Sequence, residues 1–451
     1  MENNEESINL NKLHLKSKEL EALKNINKKS KRNKFIINDS INNSKKRKHI
    51  LHIIVNKIKK LNNNKFTKIL LNIEKKQKRK NKRNFGIDIA RILSMIFLIN
   101  HHILFHGGPL SRTELLSHDN NVYLFLNVIF ISGVNIFGMI SGFVGFHSHK
   151  YSNLIYLFFQ TFLYNYGIAY YFQKKNPNYV NDLDKYLYPV FITDYWYFTA
   201  YFIIYFFFPL INSGIRVMER RQLGIFNLSL FLFFCCFNQI RHYSKRLKGD
   251  LFLFNHGFSY MWLLILYFLG GYFGKFNNYN NNYNKFMIWT ICLVIIFIVA
   301  YCRSIIIINK IEQHHRHAFE MKIEYNSPSS VIIAICFVIM FSKLEINSII
   351  LQKIISFFAP LTYGVYLIHN HVIVRNHIIS RRYIWLLKYS SVKLILMQMR
   401  ESFKIFLYCS SIDFIRLLIF KLFWIRQICI FISKIIEKIA NFILFIFEHL
   451  Y

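Results

Sequence analysis

The sequence predicts an all-α fold: a polytopic integral-membrane helical bundle of about ten transmembrane helices, preceded by a disordered basic N-terminal tail. Three observations predict it. The 451-residue chain is 53% hydrophobic, with 47 Phe and 28 Tyr, yet its formal net charge is +35. These properties occupy different stretches, because residues 1–84 hold 25 Lys/Arg against 7 Asp/Glu, leaving 33 against 16 for the other 367 residues. The apolar residues are also gathered into runs that match a hydrocarbon core about 30 Å thick, which takes about 20 helical residues at about 1.5 Å each.

Residues 1–84 read as a Lys/Asn-rich cytoplasmic tail that opens on MENNEES, so no secretory leader is expected. One amphipathic patch within it, HILHIIVNKIKKL at 49–61, suits a surface of anionic membrane lipid, where each Lys contributes about 1 kcal/mol. Nucleic acid is not expected as a partner. The basic block KKQKRKNKR at 75–83 abuts the first apolar run and places the N-terminus in the cytoplasm. Ten runs follow, at 86–106, 121–146, 151–172, 195–213, 223–240, 251–274, 285–309, 328–344, 353–374 and 403–424. Ten spans return the C-terminus to the cytoplasm, in the plasma membrane or an endomembrane. Basic loops at 241–250 and 375–402 argue for the opposite orientation, but a tail with 25 basic residues is harder to translocate than a few loop charges. The domain boundaries follow: tail 1–84, membrane domain 85–424, and a C-terminal segment 425–451. Within that segment, 428–449 places Lys434, Lys438 and Asn441 on one stripe and reads as an amphipathic helix in the membrane interface.

Composition excludes other classes. Six Pro and 16 Gly rule out collagen-like and linker-like chains. Seven Cys without a C-x-x-C pair argue against a zinc ribbon or a disulfide scaffold.

The first run, NFGIDIARILSMIFLINHHILFHGG at 84–108, carries the chemistry. Charged and imidazole groups are costly in lipid and face a cavity or a partner by default. Arg91 and His102 lie eleven positions apart, about 20° past three full turns, so they point the same way about 16–17 Å apart along the axis. Asp88 lies a turn before Arg91, and His106 a turn after His102. A neutral imidazole at His102 can take a proton from an attacking hydroxyl, Arg91 can hold a phosphate-bearing donor, and Asp88 can orient Arg91. The same residues also fit a structural reading, in which Asp88 and Arg91 pair near the headgroups and His102 bonds a neighbouring helix. No metal site is expected, since His102 and His106 have no third ligand at a telling spacing.

The pattern G-I-D-x-x-R, ten residues, then His (Gly86 to Arg91, then His102) resembles the first membrane helix of the acyltransferase-3 family of integral-membrane acyltransferases. ISGVNIFGMISGFVGF (131–146), DYWYFTAYFIIYFFFPLIN (194–212), GFSYMWLLILYFLGGYFGKF (257–276), and YNSPSSVIIA (325–334) with FFAPLTYGVYLIHNHVIVR (357–375) resemble later helices in the same order. The likeness covers about residues 85–423. It implies transfer of an acyl group, most often acetyl from acetyl-CoA, to a hydroxyl of a glycan or lipid acceptor, with Arg91 and His102 as the family's essential pair. The acyl-CoA then enters as donor substrate and no permanently bound cofactor is expected. Bacterial members often carry Arg-x-x-Arg after the second helix as a donor-binding element. Here FHSHKYSN offers His147, His149 and Lys150 instead.

Further candidates for donor or acceptor binding are Lys150, Tyr195, Trp196, Asn326, Ser327, Tyr366 and His369. Tyr195 and Trp196 fit either an interfacial aromatic belt or a sugar-stacking cleft. Asn326 and Ser327 precede Pro328 as helix caps or substrate contacts. His369 fits a second general acid or a structural bond. Asp413 and Arg416, at i and i+3, are expected to pair. The competing function is a transporter or flippase using the same polar track. The absence of repeats and of broken helices in the sequence favours chemistry over alternating access.

Overall fold

The computed structural model describes residues 83–147, 149–190, 195–237, 254–277, 284–314 and 324–450. The tail with its patch at 49–61 and the basic loop 241–250 lie outside the described residues. Residues 84–451 form one compact unit. Among the described residues the regular elements are helices, with no strand.

Helix α1 spans Phe85–Phe105. It starts where the Asn84 side-chain oxygen accepts the Ile87 N–H at 3.1 Å, which satisfies one of the amide donors left over at a helix start. It stops at Gly107 and Gly108. Gly108 has φ +106°, a left-handed conformation that L side chains rarely adopt, and Pro109 begins a short helical turn beyond it. Helices α2 (His118–Phe130) and α3 (Ser132–Gly145) are nearly continuous through Ile131. Next come α4 (Tyr151–Lys175), α5 (Trp196–Val217) and α6 (Arg220–Phe231), which runs into a wide turn at Leu232–Phe237. Helices α7 (Tyr260–Phe276), α8 (Lys285–His314) and α9 (Pro328–Ser342) follow.

The ninth apolar run differs from its sequence reading. It is broken into α10 (Ile349–Phe358) and α11 (Thr362–His369) by a tight turn at Ala359–Leu361, where Pro360 supplies no N–H. The chain breaks again at Asn370, so Arg375 lies beyond the helix that carries His369. A long α12 (Ser391–Leu422) and α13 (Ile425–Leu450) complete the chain.

In their described parts the ten runs fall largely on helices, but among the described residues five stretches are both long and apolar enough to cross a membrane: Phe85–Arg112, His118–Gly145, Trp196–Val217, Lys285–Gln313 and Ile349–His369. The others fall short for visible reasons. Helix α9 has 15 residues and α7 has 17, against about 20 for a perpendicular span. Helix α4 buries Gln160, Thr161 and Asn165, and α12 carries Arg400, Glu401, Lys404, Asp413 and Arg416. The membrane character itself is plain from α8, where Phe286, Leu293, Phe297 and Tyr301 are exposed on one helix.

Close approach at small residues holds the centre together, as is common where lipid removes the usual hydrophobic drive. A Cβ on Gly142 of α3 would run into the Tyr267 backbone of α7. Likewise Gly270 and Gly274 of α7 leave room only for Met139 and Phe143 of α3. Gly86 of α1 lies against the Phe341 carbonyl of α9 in the same way. Farther out, Asp413 and Arg416 of α12 pair as their spacing predicts. The Asp413 carboxylate accepts from Arg416 Nε at 3.0 Å and Nη2 at 2.7 Å, from Gln160 at 3.1 Å and from the Tyr164 hydroxyl at 2.8 Å. Helix α13 leans on α4 at its start, where Arg426 donates to Asn153 at 2.6 Å, and exposes Ile436, Ile439, Phe442 and Lys438 farther on.

Candidate active site

Several helix ends meet around the C-terminal half of α1. Beyond its last turn, the loop after α11 is stitched to it by Arg381 N–H to the His106 carbonyl (3.1 Å) and Tyr383 N–H to the Gly107 carbonyl (3.0 Å). The start of α5 joins the same region, since the Tyr195 hydroxyl donates to the Leu367 carbonyl of α11 at 2.7 Å. The start of α9 joins it through Tyr325, whose ring stacks on Trp196 with centroids 5.8 Å apart. Asn135 of α3 fastens this corner from inside. Its amide donates to the Tyr325 carbonyl at 2.7 Å and to Ser330 at 2.9 Å, and its oxygen accepts from the Trp262 indole at 3.1 Å.

The histidines of α1 divide by face. His101 Nδ1 is bonded to the Asn127 side-chain oxygen of α2 at 2.7 Å, a packing role. His102 faces the other way, toward α11, with ring centroids 5.2 Å from His369 and 5.3 Å from His106. His102 is 6% exposed, and its Nδ1 is buried with no hydrogen bond among the described residues. The bland expectation that His102 bonds a neighbouring helix therefore finds no bond at this nitrogen. Among the described residues no three His, Cys, Asp or Glu side chains are grouped to hold a metal ion.

Toward the other end of α1, Arg91 Nη1 lies 3.4 Å from Asp88 Oδ1, with Asp88 almost wholly buried and Arg91 about one quarter exposed. The contact follows from the one-turn spacing and fits both the orienting reading and a plain pair near the headgroups. Arg91 lies within electrostatic reach of Tyr197. The Tyr197 ring packs on Tyr366 of α11 with centroids 6.0 Å apart, and Tyr366 is one turn from His369.

The remaining sequence candidates divide. Tyr195 is fully buried and bonded to α11, so its reading as an interfacial belt residue is corrected: the helix end it opens is packed inside the bundle. Trp196 is partly buried between Tyr325 and Phe258, with the Phe258 centroid at 5.1 Å. Ser327 caps α9 by accepting the Ser330 N–H at 3.3 Å, while the buried Asn326 leaves its side-chain oxygen without a hydrogen bond among the described residues. Lys150 is exposed at the start of α4, where its carbonyl accepts the Tyr205 hydroxyl at 2.6 Å. Because α1 and the α2–α3 pair run in opposite directions, Lys150 shares the Arg91 end of the bundle. Asn135 escaped the sequence reading, although an Asn inside the apolar run ISGVNIFGMISG is the signal that could have found it.

The described residues form a helical membrane domain with an Asp88/Arg91 pair toward one end of α1 and His102 and His369 buried at the other, and its class is given by its family. The chain belongs to the acyltransferase-3 family, whose model, described as an acyltransferase domain, matches residues 84–396. No curated protein and no solved structure shows significant similarity to it.

Proposed function

We propose that this protein transfers an acyl group, acetyl in the first instance, from acyl-CoA to a hydroxyl of a glycan or lipid acceptor. The observation that carries the reading is the track on α1: Arg91 held by Asp88 at one end and His102 buried with an unbonded nitrogen at the other. The eleven-residue offset, about 16–17 Å of axial rise, suits a donor whose phosphates and thioester are separated by an extended pantetheine arm.

In this reading Arg91 and Lys150 meet the donor phosphates at the cytoplasmic end, an Arg fork and a point charge standing where relatives carry an Arg pair. His102 acts as general base toward the acceptor hydroxyl. Trp196, Tyr195, Asn326, Ser327, Tyr366 and His369 bound the acceptor end, where flat aromatic faces and buried amides suit a sugar or a lipid headgroup. The chain then has about ten spans with both termini in the cytoplasm, shorter helices such as α7 and α9 crossing within the protein interior. Helix α13 lies along the interface.

The test uses membranes containing the full chain, radiolabelled acetyl-CoA, and the membranes' own glycans and lipids as acceptors. His102→Ala is expected to abolish transfer at unchanged protein level, and Arg91→Gln to raise KM for acetyl-CoA. Undiminished transfer by His102→Ala removes the base assignment.

A second reading, transport along the same track, draws support from the break between α10 and α11, since interrupted helices line many transport paths. The sequence argument against it, that the spans are unbroken, does not hold for this helix. Movement of a glycolipid across reconstituted vesicles that persists in His102→Ala would favour it.

A further inference from the structure

A general base of the His102 type works best when one ring nitrogen takes the substrate proton and the other carries a proton held by a fixed acceptor. Without that acceptor the imidazole divides its time between tautomers. His102 Nδ1 makes no such bond among the described residues. His369 has what is missing. Its Nδ1 lies 2.6 Å from the Val365 carbonyl, one turn back on α11. A carbonyl can only accept, so this nitrogen carries the proton and Nε2 of the neutral ring bears a lone pair. That Nε2 is buried and has no hydrogen bond among the described residues either.

The two rings are 5.2 Å apart between centroids and inclined at 44°. Ring nitrogens lie roughly 1 Å from their centroid, so one from each ring comes to about 3 Å when both point along the line of centres. Buried polar atoms without partners are costly, and here a missing donor bond and a missing acceptor bond lie on neighbouring rings.

We propose that His369 is the positioning residue of the catalytic base. When acceptor binds, His102 Nδ1–H donates to His369 Nε2, and a series runs from the Val365 carbonyl through His369 and His102 to the acceptor hydroxyl at His102 Nε2. This rests on the assignment of His102 as base. In the transfer step the hydroxyl oxygen bonds to the acyl carbon and the carbon–sulfur bond of the thioester breaks. The hydroxyl proton moves to His102 Nε2 and from there to the departing thiolate. His369 keeps its own proton throughout and steadies the doubly protonated His102. His106, His101 and Arg375 also act electrostatically on His102, and His369 favours protonation of His102 only as a neutral ring that accepts at Nε2. None of them is a carboxylate, His101 is committed to Asn127, and Arg375 opposes a positive charge, so a neutral acceptor at Nδ1 is what favours protonation.

The experiment compares His369→Leu and His369→Gln with the unaltered chain in the membrane assay with radiolabelled acetyl-CoA, normalised to folded protein by size-exclusion profile. The amide oxygen of the Gln variant falls near the position of Nε2. Loss of the acceptor in His369→Leu is expected to lower kcat about 10–100-fold with KM for acetyl-CoA unchanged, and to move the acid limb of the rate profile to lower pH by about one unit. His369→Gln is expected to restore most of the rate and the limb. An unchanged rate in His369→Leu overturns the proposal, as does a loss with an unmoved limb and no recovery in His369→Gln. If His102→Ala kills transfer while His369→Leu does not, this inference fails and the base assignment stands. If His102→Ala transfers normally, or the unaltered chain transfers nothing, the base assignment falls and takes the inference with it.

Discussion

Gly364 of α11 lies against the Asp413 carboxylate of α12 so closely that a Cβ there would clash with Asp413 Cγ and Oδ1. The contact ties the helix that carries Tyr366 and His369 to a buried ion pair with no slack between them. Gly364→Ala must push α11 away or break the pair, and overpacking of this kind costs about 1–3 kcal/mol. A melting temperature in detergent equal to that of the unaltered protein would show the contact to be looser than described.

The ion pair itself is expected to behave asymmetrically. Asp413→Ala strands the Arg416 guanidinium in the interior and should destabilise by about 3–5 kcal/mol, enough to deplete monodisperse protein after extraction. Replacing both partners by apolar residues, Asp413→Leu with Arg416→Met, should recover most of that loss. A double variant no better than the single one would mean that the bonds from Gln160 and Tyr164 matter more than the charge.

Neighbouring residues at the start of α9 should separate stability from function. Ser327→Ala removes a cap, and its main expected effect is on stability, a loss of about 1 kcal/mol. Asn326→Ala removes an oxygen that has no hydrogen bond among the described residues. It should leave stability unchanged while lowering kcat/KM for the acceptor about tenfold, the scale of one buried hydrogen bond. A fall in melting temperature without a kinetic change would assign Asn326 to packing.

The glycines give a matched comparison. Gly270→Ala places a methyl into the Met139 carbonyl and should destabilise by about 1–3 kcal/mol, whereas Gly167 has nothing within 4 Å of a new Cβ. Gly167→Ala in α4 should be neutral or stabilising by up to about 1 kcal/mol from helix propensity alone. Equal thermal shifts for the two would contradict the packing of α3 on α7.

Much of this molecule was legible in its sequence because the signals are local. Runs such as 285–309 announce membrane helices by length and apolarity, Pro328 after Ser327 announces a helix start, and the i, i+3 spacing of Asp413 and Arg416 announces their pair. The stripe from Asp88 through Arg91 to His102 follows from 3.6 residues per turn, whatever lies around the helix. The match that shows membership of the acyltransferase-3 family covers residues 84–396, from the start of this helix onward.

Only the tertiary structure decided which histidine of the adjacent pair is available. His101 and His102 are alike in sequence, and they differ because α2 offers Asn127 to one while α11 offers the other only the ring of His369. It also turned Tyr195 from a boundary aromatic into an internal tie, and broke the ninth run at Ala359–Leu361 so that His369 closes a helix while Arg375 lies beyond it. Helix periodicity sets the face on which a residue lies, but its partners depend on how separate helices cross. That depends on contacts between residues as distant in the chain as Gly364 and Asp413, which no local pattern encodes.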